Sequence, residues 1–109
     1  MLHLIGMPDE TTQRILDLQQ LMTDRLSELG YADVHSATRI GRHLAEIAVY
    51  GERFARVTLP LLLSLQHENQ APIRELVLAM KCELDELRDS LIDVDHDMHD
   101  LTTFFDADL

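Results

Sequence analysis

The chain has 109 residues, of which 9 are Lys or Arg and 20 are Asp or Glu, so its formal net charge is −11. A chain of this length forms one domain with a core of its own. A charge this negative argues against binding to nucleic acid or to an anionic membrane, because phosphate groups repel it. Four Gly and three Pro are too few for a strand-and-turn protein and indicate helices.

We predict a first helix from about Asp9 to Leu29. Pro8 and the two carboxylates after it suit a helix start, because proline needs no amide partner there and acids favour the positive end of the helix dipole. Apolar residues with helical spacing share one face of this segment; they are Ile15, Leu18, Met22, Leu26 and Leu29. Gly30 then provides the usual helix stop.

A second helix is predicted from Asp33, a good N-cap, to about Gln66. Its apolar residues form three columns with a seven-residue spacing, and a face this wide suits a helix with two neighbours. The columns are Ile40, Ile47, Phe54 and Leu61; Ala37, Leu44, Gly51, Thr58 and Leu65; and Gly41, Ala48, Ala55 and Leu62. The small residues of the third column allow another helix to approach closely. Pro60 is expected either to kink this helix or to break it near Leu59.

A polar connection over residues 67–71 precedes the third helix, predicted from Pro72 to about Phe105. This segment has ten apolar residues at strictly alternating spacings of four and three, which is a heptad pattern for left-handed coiled-coil packing. Position a holds Val77, Leu84, Leu91, Met98 and Phe105, and position d holds Ile73, Met80, Leu87, Val94 and Leu101. The residues from Ile73 to Leu101 in this seam are the predicted interface.

The predicted fold is all-α: one helical domain over residues 1–109, a three-segment bundle whose second and third helices form a long antiparallel coiled-coil hairpin. The third helix would be roughly 50 Å long and the first about 30 Å, so the first cannot cover the whole hairpin. An apolar groove left open in this way usually marks an interface. We therefore expect a homodimer, with a helix of another protein as the alternative occupant.

The negative charge is concentrated near the end of the chain. Residues 83–109 hold ten Asp and Glu against Arg88 alone, a net charge of −9. The second helix instead carries a line of four arginines, Arg39, Arg42, Arg53 and Arg56. Both surfaces have two interpretations: solvated outer faces, or complementary faces through which this chain meets a second protomer or a partner.

The run from Asp93 to Asp100 contains Asp–His pairs four residues apart, which could chelate a divalent ion. The heptad puts His96 at f and His99 at b, so both are expected to face outward and no metal site is predicted. His43 and Glu46 are expected on the polar side of the second helix, and Cys82 at an outer f position. No catalytic residue, cofactor or small-molecule substrate is predicted.

These patterns favour a non-enzymatic helical module for protein–protein interaction, of the small adaptor, regulator or secretion-chaperone type, with an unidentified protein partner. It would act through the heptad seam and the acidic C-terminal face. The first alternative is an acidic mimic or neutraliser of a basic protein, such as a toxin or a nucleic-acid-binding protein; the second is a helical metal-binding protein. The single cysteine, the absence of a signal-peptide pattern and the short apolar runs predict a cytoplasmic location.

Overall fold

The computed structural model describes residues 10–66 and 70–106, and within these ranges it contains helices and no strand. The helices are α1 (Glu10–Glu28), α2 (Val34–Arg53), α3 (Leu59–Ser64) and α4 (Gln70–Phe104), and a π-helical turn (Phe54–Thr58) joins α2 to α3. The predicted all-α class is confirmed. The three predicted segments agree with the described helices to within two residues, except that the predicted start at Asp9 lies outside the described residues.

The turn between α1 and α2 forms as its sequence predicts. Gly30 has φ +103°, a conformation that residues with a Cβ rarely adopt. The amide of Tyr31 donates to the carbonyl of Leu26 at 2.9 Å, which closes the end of α1. Asp33 caps α2, because its carboxylate accepts a hydrogen bond from the backbone N–H of Ser36 at 3.1 Å. Together these two caps reverse the chain direction and place α1 against α2.

Pro60 does not break the second segment. The helix continues from α2 through the π-helical turn into α3, and the backbone N–H of Leu59 donates to the carbonyl of Phe54, five residues earlier. Proline lacks an amide hydrogen, and its ring clashes with the carbonyl four residues before it in a regular α-helix. The wider turn directly before Pro60 accommodates this conflict, so of the two predicted outcomes the continuous helix is the correct one.

α2 packs against α1 on one side and against α4 on another. On the α1 side, Ile15 forms a buried cluster with Ala45 and Val49. The prediction that Ala48 and Ala55 form the close-approach column with Gly41 is wrong, because both alanines are exposed. The buried row has a four-residue spacing, from Gly41 through Ala45 to Val49, and rows of this spacing form the ridges that pack between helices.

A second cluster joins the end of α4 to the turn between α1 and α2. Tyr31, Ala37 and Ile40 are buried there, with Leu101 packed against them. The rings of Tyr31 and Phe104 meet edge to face, with centroids 4.8 Å apart. The Cα atoms span 55 × 37 × 17 Å, so the molecule is flat. One face of α4 therefore packs against the segment formed by α2 and α3, and its opposite face is open.

Candidate functional site

The face of α4 that packs against α2 contains a polar column. Glu83, Ser90 and Asp97 are spaced seven residues apart, at position g of the heptad, and Ser90 and Asp97 are buried. Their spacing places all three on one line along the helix. The contact between α2 and α4 is therefore built around polar groups, and each of these groups needs a partner because burial removes its water.

Asp97 has its partners on α2. Its side chain is 3% exposed, and its Oδ1 accepts a hydrogen bond from Nε of Arg39 at 3.3 Å. A shorter hydrogen bond of 2.6 Å joins Nδ1 of His43 to Oδ2 of the same carboxylate. Nε2 of His43 lies 3.6 Å from Oδ2 of Asp93. One buried carboxylate thus connects an arginine and a histidine one helical turn apart on the neighbouring helix.

Glu83 forms a similar connection nearer the start of α4. Its Oε1 accepts a hydrogen bond from the hydroxyl of buried Thr58 at 2.7 Å, and its Oε2 lies 3.6 Å from Nε of Arg53. Glu83 and Asp97 are fourteen residues apart, and so are their arginine partners Arg53 and Arg39, in the opposite order along the chain. These connections fix how far α4 is rotated about its own axis relative to α2.

The four arginines predicted to form an electrostatic face have different surroundings. Arg39 also lies 3.5 Å from Asp100, so both Arg39 and Arg53 form ion pairs with acids of α4 in the same chain. Arg42 pairs with Glu46 on its own helix at 3.3 Å. Arg56 is exposed. Two of the four thus meet the acidic C-terminal segment within one protomer.

The predicted interface residues of α4 divide into two sets. The d column is half-buried, as is Met98; the d residues are Ile73, Met80, Leu87, Val94 and Leu101. The remaining a residues of the predicted interface, Val77, Leu84 and Leu91, are 52%, 46% and 55% exposed. The structure therefore uses columns d and g, with Met98, for packing inside the chain and turns Val77, Leu84 and Leu91 towards solvent.

Five large apolar residues exposed on one side of α4 form a surface that we call the α4 stripe: Val77, Leu84 and Leu91 in column a, with Leu78 and Ile92 in column b. An open groove of about 560 Å³ runs along it from Leu84 to His96. A second groove of about 450 Å³ continues past Val77 to Leu62 of α3. Such a row of large apolar side chains is suited to contact with another apolar surface.

Sequence reasoning missed the polar connection. It treated His43 as a surface residue, whereas the His43 side chain is only 18% exposed and contacts Asp97. The equal fourteen-residue spacing of Arg39 and Arg53 and of Glu83 and Asp97 is a signal that could have revealed it. His96, His99 and Cys82 are exposed, as their heptad positions predict. Within residues 10–66 and 70–106, no group of three His, Cys, Asp or Glu side chains is arranged to hold a metal ion.

No family model matches this sequence, and no curated protein or solved structure shows significant similarity to it. In the part of the chain that the structure describes, no helix has the length and apolar character needed to cross a membrane.

Proposed function

We propose that this protein is a non-enzymatic helical module that binds another protein chain along the α4 stripe. The observation that carries this proposal is the exposure of Val77, Leu84 and Leu91, three large apolar residues of a seven-residue repeat. Exposed apolar surfaces that are continuous rather than scattered mark interaction sites. A seven-residue spacing of apolar side chains is suited to packing against another helix.

The polar connection supports this function by holding the stripe outward. The hydrogen bonds of Asp97 and Glu83 with α2 and the π-helical turn keep columns d and g against the rest of the chain. Every buried side-chain nitrogen and oxygen of the described residues has a hydrogen-bond partner. In this proposal the polar groups between α2 and α4 orient the helix, and α2, α3 and α4 form the antiparallel coiled-coil hairpin to which the partner adds a further helix.

The alternative of an acidic mimic is less well supported, because part of the acidic segment is used inside the chain. Asp97 and Glu83 form ion pairs with Arg39 and Arg53, and Asp93 lies near His43. Less negative charge on the acidic segment is therefore available to bind a basic partner. The two functions differ in their response to salt, since salt screens exposed charges but leaves apolar contact intact. The cytoplasm, as a reducing compartment, is the location that the single exposed Cys82 suits under this proposal.

Site-specific photo-crosslinking tests the proposal. A photoreactive residue in place of Leu91 is expected to give a covalent adduct with a protein chain, whether another copy or a different protein, in cells that produce this protein. The matched control has the same residue in place of Leu21, which is equally apolar and 65% exposed but lies on α1. The adduct at position 91 should persist at high salt and disappear when Leu84→Glu is added. No adduct at position 91, or equal adducts at both positions, would contradict the proposal.

A further inference from the structure

We infer that the α4 stripe binds the α4 stripe of a second copy of this chain, with the two helices antiparallel and a two-fold axis near Arg88. This inference rests on the proposed function and names the partner. Its basis is the pattern of charged and apolar residues along the stripe.

The charges beside column a nearly cancel, although the chain has a net charge of −11. Position e, next to column a, holds Arg74, Lys81 and Arg88, followed by Asp95, and the next position round the helix adds Asp85. Three basic and two acidic residues nearly balance. A second copy can therefore approach this face without the repulsion that the whole chain would predict.

The order of these charges is self-complementary only for antiparallel helices. Lys81 and Asp95 lie seven residues on either side of Arg88, in the same column. A two-fold axis at Arg88 places Lys81 opposite the partner's Asp95, and the symmetry repeats this contact on the other side. In a parallel pair each of these residues would instead face its own copy, so like charges would meet.

The apolar residues follow the same symmetry. Leu84 and Leu91 of column a lie four residues before and three residues after Arg88, so each would pack against the other residue's copy. At the axis, Arg88 would lie close to Arg88 of the second copy. Its positive charge is already offset within the same helix, because the guanidinium lies 3.5 Å from Oδ1 of Asp85 and 3.4 Å from Oδ1 of Asp89. The axis thus pairs leucine with leucine and lysine with aspartate.

The size of the surface is adequate for such a pair. α4 has 35 residues, so it is ~52 Å long and, at a width of ~11 Å, offers on the order of 600 Å². Two copies would bury about 1,200 Å² in total, the lower end of the usual range for a stable interface. Leu62 of α3, which lines the adjoining groove, adds to this area. A second α4 also matches the first in length, so no part of the stripe remains uncovered.

A charge-swap experiment tests the inference on the whole chain. Light scattering and sedimentation at micromolar concentrations should show a dimer. Lys81→Glu alone and Asp95→Lys alone should each weaken dimerisation by about 5- to 30-fold, because each places like charges together at two symmetric sites. The double variant Lys81→Glu with Asp95→Lys should restore most of the lost affinity.

Controls separate failure of this inference from failure of the proposed function. Leu84→Glu should give a monomer of unchanged helical content by circular dichroism, and Leu21→Glu on α1 should remain dimeric. The inference would be overturned if the wild-type protein were still a monomer at a concentration of about 200 µM. It would also be overturned by a dimer whose affinity the charge swap does not restore. If the residue at position 91 then crosslinks to a different protein, the proposed function stands; if it crosslinks to nothing, both fail.

Discussion

The two sides of α2 are packed by different chemistry. Towards α1 the buried contact is made by small and aliphatic side chains, with Gly41 allowing the helices to approach closely, and the Arg14–Glu52 ion pair is partly exposed. Towards α4, hydrogen bonds and ion pairs to Asp97 and Glu83 lie beside half-buried apolar residues such as Leu101. The apolar contact relies on shape, whereas the polar contact relies on pairing and fixes a rotation. The difference explains why α4, the helix with the strongest apolar pattern, has much of that pattern exposed.

The largest expected effect is the loss of the buried carboxylate. Asp97→Ala removes the partner of His43 and one partner of Arg39, and should lower the free energy of unfolding by about 2–3 kcal/mol. This loss is at or below the lower limit of the usual range of about 3–5 kcal/mol, because the Arg39 side chain is 44% exposed and also lies near Asp100. Urea denaturation measures the change. The control is Asp93→Ala on the same helix, which is 54% exposed and should cost about 0.5 kcal/mol or less. Equal losses for the two variants would show that the polar contact does not depend on burial.

The next effect concerns the apolar side of α2. A Cβ on Gly41 would lie 2.9 Å from the carbonyl oxygen of Gln19 and 2.9 Å from the hydroxyl of Thr23. Gly41→Ala should therefore push α1 and α2 apart and cost about 1–2 kcal/mol, although alanine favours the helix itself. Gly51→Ala is the matched control, because a Cβ there meets nothing within 4 Å. We expect it to stabilise the protein by about 0.4–1 kcal/mol. Thermal unfolding of the two variants should show shifts of opposite sign, and shifts of the same sign would refute the close approach at Gly41.

The smallest expected effect is on how the free energy of unfolding depends on pH, through two carboxylates near α1 and the turn that follows it. A hydrogen bond and the charge of Arg14 lower the pKa of Glu52 below its ordinary value of 4.5. The backbone N–H and hydroxyl of Ser36 lower the pKa of Asp33 below 3.8. A carboxylate with a lowered pKa in the folded state stabilises the fold above its ordinary pKa, and this stabilisation is lost as the pH falls through the folded pKa. Stability should thus decrease from about pH 5 to pH 3.

Variants with Glu52→Gln and Asp33→Asn test that attribution. Neither new side chain titrates as an acid, so the double variant should show a shallower decrease in unfolding free energy over the same pH range. Chemical denaturation at several pH values is the measurement. If the unfolding free energy of the double variant fell with pH as steeply as that of the wild type, the acid sensitivity would come from other carboxylates and not from Glu52 and Asp33.

The sequence predicts where the helices begin and end better than which sides of them meet. Gly30, Asp33 and Pro60 act locally, so their effects follow from neighbouring residues alone. The heptad pattern identifies column d of α4 as inward, but either column a or column g can complete the packed face. Hydrophobicity favours a, whereas the structure uses g, because Arg39 and His43 on α2 provide partners for Asp97. That choice depends on residues more than fifty positions away in the chain.

The π-helical turn has a consequence for the phase of the second segment. It adds roughly one residue to a turn, which rotates the residues after it by about 100° relative to an uninterrupted α-helix. The seven-residue columns predicted for α2 therefore do not continue into α3, and Leu61 and Leu63 are 51% and 85% exposed. A deletion or an insertion of one residue before Pro60 would change the direction of every α3 side chain. The π-helical turn before the proline thus sets the direction in which the exposed side chains of Leu61 and Leu63 point.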